Sequence, residues 1–430
     1  MLVFGTSPAA ANEVLSPKPR LRDKDGAFNT AVLSETADYI ADRFWLRQKC
    51  VTAWSEINAA LFKTSADDSV VLGSDGWLYY SETLDDYTGA GLDDDKLGSV
   101  AENLALLQEY AEDRGAEFVF TVAPNKNSLY PEHMPKGIPS GHETSNAVRL
   151  KPVLDELGVN YADLFGTLSQ EDRVLYYETD SHWNSEGAAL GADAVLNAAG
   201  LESSYYRQEF TEGEEHTGDI YEMLYPCGKY RERDCVPAVP FSFETASPVN
   251  GGKALKIDSE CLNGDGRLVC WRDSFGNSLY PYLAEHFSHA LFLREAAYDF
   301  TRIESESADT VIVELVERNI DWLITYVPVF QSPEREVNCV EGSSCITATV
   351  TDGAGSSHEG LAHIEIELDR SMYDFGTAAY VLSNGRKYEA WVSYPEEEKA
   401  MLSVWIPAEE VSDIGAVCSS NGAMTCYLAE

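Results

Sequence analysis

Apolar and polar positions along the chain change period several times, and each change marks an element. From Thr36 to Phe62, apolar residues recur at helical spacing (Ile40, Phe44, Trp45, Val51, Trp54, Ile57, Leu61), which predicts one or two helices. VVLGSDGWLYY (70–80) reads as a β-hairpin turning at Gly73–Gly76. Strands and helices then alternate. Asp94 to Arg114 is helical, with Leu97, Val100, Leu104, Leu107 and Tyr110 on one face. AEFVFTVAP (116–124) is a buried strand ended by Pro124, Ala147 to Leu157 a helix, VNYADL (159–164) a strand and Ser185 to Ala199 an alanine-rich helix. RLVCWRDS (267–274) is a strand followed by a helix from Gly276 to His286, and HALFLR (289–294) and DTVIVELVE (309–317) are further strands.

Repeated strand–helix–strand order predicts an α/β fold with a mostly parallel sheet covered by helices. Residues 203–260 break the rhythm with aromatics, Gly, Pro and two Cys, and read as a long inserted loop region. After Pro328 short alternating strands take over: CITATV (345–350), AHIEIEL (362–368), TAAYVLS (377–383), YEAWVSY (388–394) and MLSVWIP (401–407). With the Asn-Gly turn of SNGRK (383–387), they predict a small β-sandwich or barrel. The expected organisation is an extended lead-in over 1–35, an α/β domain over 36–330 and a β-rich domain over 331–430.

The chain's 430 residues suit such a two-part organisation. Its 72 acidic and 31 basic residues give a formal charge of −41, a field that repels nucleic acid and anionic surfaces. Aromatics reach 11%, which suits either sugar-stacking surfaces or large β-rich cores. Of nine cysteines, eight fall in local pairs (Cys227/Cys235, Cys261/Cys270, Cys339/Cys345, Cys418/Cys426) and Cys50 stands apart. No C-x2-C spacing suggests zinc, so a disulfide framework in an oxidising compartment is expected, its connectivity open. No metal or cofactor is expected. The start, MLVFGTSPAAANEV, has too short an apolar run for a signal peptide and reads as the trimmed end of a signal or anchor helix.

Two short segments carry the candidate chemistry. In YYETDSHWNSEGA (176–188), Asp180 and His182 stand two residues apart; on an extended strand end they share a face, so the carboxylate can hold the imidazole. Asn184 or Ser185 is placed to cap the following helix. In VCWRDSFGNSL (269–279), Ser274 sits where an apolar strand gives way to a helix, a position that exposes a hydroxyl beside helix N–H groups. TVAPNKNSLYPEHMP (121–135) brings Asn125 and Lys126 to the same sheet edge, either as oxyanion or substrate candidates or as parts of a turn that Asn and Pro favour, and in ELVERNIDW (314–322) Glu317 and Arg318 follow a buried strand, either as a structural ion pair or in a substrate role. The other seven histidines sit in no comparable setting and are expected on surfaces or in loops.

These segments, in this order, resemble the SGNH hydrolase-like domain of the alginate O-acetylation proteins, the AlgX/AlgJ type, and the related DHHW family. The resemblance rests on LGSDGWLYY (72–80), VAPNKNSLYPEHMP (122–135), TDSHWNSEGA (179–188), GDIYEM (218–223), DSFGNSLYPYLAEHF (273–287) and VIVELVERN (311–319). It implies a flavodoxin-like three-layer α/β/α domain with a permuted Ser274–His182–Asp180 triad. The family's usual Gly before D-S-F is Arg272 here, which bears on the oxyanion geometry. The resemblance also implies that Cys50 pairs with a cysteine of the 227–235 region, and that the β-rich end is a carbohydrate-binding sandwich.

That end holds 17 acidic and 5 basic residues, a net of −12, which disfavours polyuronate and favours a neutral or basic glycan held by Tyr380, Trp391, Tyr394 or Trp405. The function expected is O-acetyl transfer to an exported polysaccharide through an acetyl-serine, with a membrane-bound O-acyltransferase as acetyl donor. A carbohydrate acetylesterase with the same triad and a non-catalytic glycan-binding scaffold are the alternatives. The expected location is extracytoplasmic, with anchoring through a removed N-terminal segment.

Overall fold

The computed structural model describes residues 15–141, 144–249, 251–342, 346–353 and 358–429. The expected trimmed anchor (1–14) and Cys345 lie outside them.

At the centre is a seven-stranded sheet in the order Tyr161–Ala162, Glu117–Ala123, Thr310–Val316, Arg267–Trp271, His289–Leu293, Lys256–Glu260, Glu244–Thr245. The first five strands are parallel, and towards one edge Lys256–Glu260 runs antiparallel to both of its neighbours. Successive side chains point to opposite faces, and the two faces fill different cores. Phe118, Phe120, Val122, Trp271, Val311 and Val313 face the helices Asp94–Glu112 and Asn146–Leu157. Val119, Cys270, Ile312 and Val316 face Ser185–Ala198 and Gly276–His286. The result is three layers, α/β/α, as the strand–helix rhythm predicts. The 203–260 region is more structured than a loop. Phe210–His216 pairs with Glu232–Pro237, the helix Asp219–Leu224 lies between them, and Lys256–Glu260 joins the main sheet.

The hairpin Val70–Leu72/Leu78–Tyr80 turns through Asp75 (φ 56°) and Gly76 (φ 93°). Left-handed backbone at two successive residues is the reason for Asp-Gly there. The N-terminal helices depart from expectation. Val32–Asp42 buries no residue, and Arg47–Ile57 buries Thr52 and Ser55, while Trp54 stays 59% exposed. The polar face of the second helix is the one that docks, with the Cys227 amide donating to Thr52 Oγ1 at 3.0 Å.

The C-terminal strands form a five-stranded and a four-stranded sheet enclosing a core of Ile364, Ile366, Val381, Leu402 and Val404. The segment expected as one strand, YEAWVSY, is two: Arg386–Glu389 belongs to one sheet and Trp391–Glu396 to the other. Trp391 is buried in the α/β core, and the Tyr394 hydroxyl is 2.6 Å from Ser99 Oγ, so neither is open to a glycan. Asn103 joins the two parts: its amide donates at 2.8 Å to the carbonyls of Leu323 and Val392 and accepts from the Val392 amide at 3.0 Å.

The expected disulfides are absent among the described residues, where all eight cysteines are free. The strand His289–Leu293 runs between those leading to Cys261 and holding Cys270. Cys418 opposes Thr425 and Cys426 opposes Val417, so the two sulfurs are one register step apart and on opposite faces. Cys426 instead lies near Cys339, and burial together with that thiol raises its pKa. Cys50 and Cys227 are both exposed thiols. No helix among the described residues is long and apolar enough to cross a membrane.

Candidate active site

Three neighbouring parallel strands, Glu117–Ala123, Thr310–Val316 and Arg267–Trp271, end at one sheet edge, where α/β folds gather ligands. Each delivers a candidate segment. The loop 176–184 closes over them, held by the Tyr176↔Trp183 bridge and by the Tyr176 hydroxyl, which donates to the Pro124 carbonyl at 2.6 Å.

Asp180 and His182 form a bonded pair, on a bend instead of a strand end. Asp180 folds back on the chain two residues ahead, its Oδ1 accepting from the His182 amide at 2.9 Å and lying 2.7 Å from His182 Nδ1. Its Oδ2 accepts from the Asp219 amide and lies against His216 Nε2, each at 2.8 Å. His216, half-buried, does have a setting of its own: it stacks on Tyr177, ring centroids 4.3 Å apart, and braces the carboxylate from behind. Asp219 adds a second carboxylate 3.6 Å from His182 Nδ1 and accepts from the Ser181 amide and hydroxyl. Gly218 is what permits this: a Cβ there would lie 2.2 Å from the Thr179 carbonyl oxygen.

These contacts set the charges. Burial pushes the Asp180 carboxyl up, but the hydrogen bonds and positive charges of His182 and His216 hold it well below the usual range. Burial lowers the His182 imidazole, and Asp180, with Asp219 behind it, carries it above its ordinary value. Burial and the Asp180 charge raise Asp219. The donor atoms of Asp180, His182 and Asp219 lie within 4.8 Å of one another, as a metal site requires. Both Asp180 oxygens and His182 Nδ1 are already engaged with one another and with protein donors, so a cation would have to break that network.

Ser274 lies, partly exposed, just before the helix Gly276–His286. The next residue, Phe275, packs its ring 4.9 Å from that of His182 and accepts from Trp183 Nε1 at 3.2 Å. His182 Nε2 is buried without a hydrogen-bond partner, so the Ser274 hydroxyl does not bond to it in this structure. Free enzymes often tighten such contacts only with substrate. Asp273, for which the sequence alone suggests no role, fixes this turn. It accepts from the Phe275 and Val316 amides at 2.8 Å and from Asn319 Nδ2 at 2.7 Å, tying the serine loop to the neighbouring strand.

The four other candidates separate. Arg318 comes to the site, its guanidinium 5.8 Å from the Phe275 ring and 5.6 Å from that of Tyr80, with no ion pair among the described residues. Asn125 is buried and donates to Asp86 at 3.1 Å. Lys126 is buried too. Its ammonium donates to the carbonyls of Tyr177, Glu178 and Asp180 at 3.1, 2.9 and 2.6 Å, so it holds the loop and has no donor left for substrate. Burial brings its pKa down to about 8. Arg272 turns away to the Ala254 and Asp273 carbonyls and to Asn277, and packs over Gly276, where a Cβ would come within 2.4 Å of it. It does not take left-handed backbone, so the position does not require glycine.

A family model, the SGNH hydrolase-like domain of acetyltransferase AlgX, matches residues 70–249. Over these residues the chain is similar to the SGNH hydrolase-like domain of the AlgX/AlgJ proteins. The match takes in Asp180, His182, His216 and Asp219 and ends before Ser274. The probable alginate O-acetylase AlgJ of Pseudomonas syringae pv. tomato is 28% identical over 170 residues, 37% of this chain and 42% of that protein. Its counterpart in Pseudomonas aeruginosa is 29% identical over 165 residues, 37% of this chain and 39% of that protein. The chain thus spans about two fifths of the length of these curated relatives. Among solved structures, Bacillus cereus PatB1 superposes with a TM-score of 0.47 at 18% identity, covering 59% of this chain and 96% of that one. Pseudomonas aeruginosa AlgX superposes with a TM-score of 0.40 at 13% identity, covering 83% and 98%.

Proposed function

We propose that this protein transfers acetyl groups to an extracytoplasmic polysaccharide through a covalent acetyl-serine on Ser274. The observation that carries the reading is the His182 ring: Nδ1 is held by a buried carboxylate at 2.7 Å, while Nε2 is left unpartnered beside the loop of Ser274. A fixed tautomer with one free nitrogen is what a general base for a hydroxyl needs.

In this mechanism His182 Nε2 takes the Ser274 proton as Oγ attacks the acetyl carbonyl of the donor. The tetrahedral intermediate collapses, the donor's leaving group departs with the proton from His182, and acetyl-Ser274 remains. A sugar hydroxyl, deprotonated by His182, attacks the ester, and the proton returns to Ser274 as the O-acetyl sugar leaves. Asp180 stabilises the imidazolium at both stages, and Arg318 supplies positive charge near the developing oxyanion. The similarity to probable alginate O-acetylases supports polysaccharide as the acceptor class. A membrane-bound O-acyltransferase fits the role of acetyl donor.

The test is hydrolysis of a chromogenic acetyl ester by the wild type and by Ser274→Ala, with intact mass on the quenched reaction. Turnover confined to the wild type, with a transient acetyl adduct on Ser274, is expected. Equal turnover by the two, or an adduct elsewhere, overturns the assignment. Adding glycan acceptors to the same assay separates transfer from hydrolysis.

A further inference from the structure

A cleft of about 980 Å³ opens between the end of the N-terminal helical segment, the 70–80 hairpin and the helix Asp219–Leu224. That is the upper end of the roughly 300–1,000 Å³ of small-molecule sites. Its inner wall includes Glu178 and Thr179, which lead directly into Asp180. The Tyr221 amide donates to the Thr179 carbonyl at 3.0 Å, two residues after Asp219. The backbone that builds the catalytic pair therefore also walls the cleft.

One side is aromatic. Tyr221 packs against Tyr225 and Tyr230, with ring centroids at 4.9 and 5.7 Å. Tyr230 is 46% exposed, and burial, with the nearby carboxylates of Glu178 and Glu232, raises the pKa of its hydroxyl. A half-exposed amphipathic ring packed on a neighbouring tyrosine presents a face to the C–H side of a sugar. The rest of the rim is charged and unbalanced: Glu56, Asp75, Glu132 and Glu178 face Lys63 and Lys136. Carboxylates offer acceptors to sugar hydroxyls and repel a ligand that carries carboxylates of its own.

We propose that this cleft binds sugar units flanking the acetylated one, and that it selects a neutral or amino-bearing glycan over a polyuronate. The proposal deepens the acyl-transfer reading and rests on it for the identity of the occupant as acceptor. It makes Tyr230 a determinant of acceptor binding and the acidic rim a determinant of acceptor charge.

Calorimetric titration of the full chain tests it with three probes: an N-acetylglucosamine hexamer, its de-N-acetylated cationic counterpart, and a uronate hexamer. Binding of the neutral or cationic hexamer at least tenfold tighter than the uronate is expected, weakened at least tenfold by Tyr230→Ala. Glu56→Lys with Glu132→Lys, both at exposed positions, should narrow the preference against the uronate, and this variant does not depend on an aromatic deletion that could disturb folding. Equal binding of all three probes, binding of none, or an unchanged affinity in Tyr230→Ala overturns the proposal. Turnover of the acetyl ester without glycan binding removes the cleft and leaves the acyl-transfer reading; selective glycan binding without turnover does the reverse.

Discussion

His216 Nε2 lies 2.8 Å from Asp180 Oδ2, on the oxygen opposite the one that holds His182. One buried carboxylate is thus shared by two imidazoles, and only His182 faces the serine loop. His216 acts as a positioning residue. His216→Ala should lower acetyl-ester turnover about tenfold through kcat, equivalent to ~1.4 kcal/mol in the barrier. His216→Gln, which can still donate to Asp180, should recover part of it. Stability gives an independent readout. The folded pKa of His216 is raised: burial lowers it, but the Asp180 hydrogen bond and charge outweigh that. Its contribution is therefore fully present below about pH 6.5 and is lost as pH rises through the folded value. The melting-temperature deficit of His216→Ala should be larger at pH 5.5 than at pH 8.5; an equal deficit at both would count against the pairing.

The His182 base must be neutral to accept a proton, and its pKa sits above the ordinary 6.5. The acid limb of kcat/KM should have its midpoint above that value. Asp219 is one cause of the rise, so Asp219→Asn should move the midpoint to lower pH. A midpoint that does not move would remove Asp219 from the electrostatics of the site.

Asp86 and Glu317 form a buried acidic pair next to Asn125. Burial, then the Glu317 charge, pushes the Asp86 pKa up to about 8. Between pH 4 and 8 the unfolded carboxyl has released its proton while the folded one keeps it, so this group makes the protein lose stability as pH rises. Asp86→Asn should flatten that decline. Thermal melts at pH 5 and pH 8 check it, and parallel losses in the two proteins would refute it.

Gly218 lets its segment touch the Thr179 carbonyl, and a Cβ at 2.2 Å cannot be accommodated without moving backbone. Gly218→Ala should cost about 1–3 kcal/mol of stability. It should also withdraw the Asp219 amide from Asp180, so ester turnover falls alongside. Wild-type melting and turnover in this variant would show that the loop relaxes freely.

Much of the scaffold was legible in the chain. The helix Gly276–His286 and the strands around 117–123, 267–271 and 310–316 stand where the apolar periodicity places them. Asp180 and His182 were legible because their bond is local, two residues apart. His216 was not. Its neighbours, with Glu214 and Glu215 before it and Thr217 after, look like a polar strand end. Only the return of the 210–237 hairpin across the sheet edge brings its ring to Asp180.

The same division explains Lys126, Asn125 and Arg272. Their positions at or near strand ends followed from the sequence, but a long polar side chain at a sheet edge can face the ligand or turn inward to orphaned carbonyls. Packing decides which. Lys126 closes on the loop that carries Asp180, and Arg272 lies over a glycine four residues on. The sequence by itself determined where strands end and which residues reach that edge, because local periodicity and turn chemistry are short-range. Tertiary structure decided which of those groups are already satisfied by other protein atoms, because hydrogen-bond partners distant in the chain are brought together only by the fold.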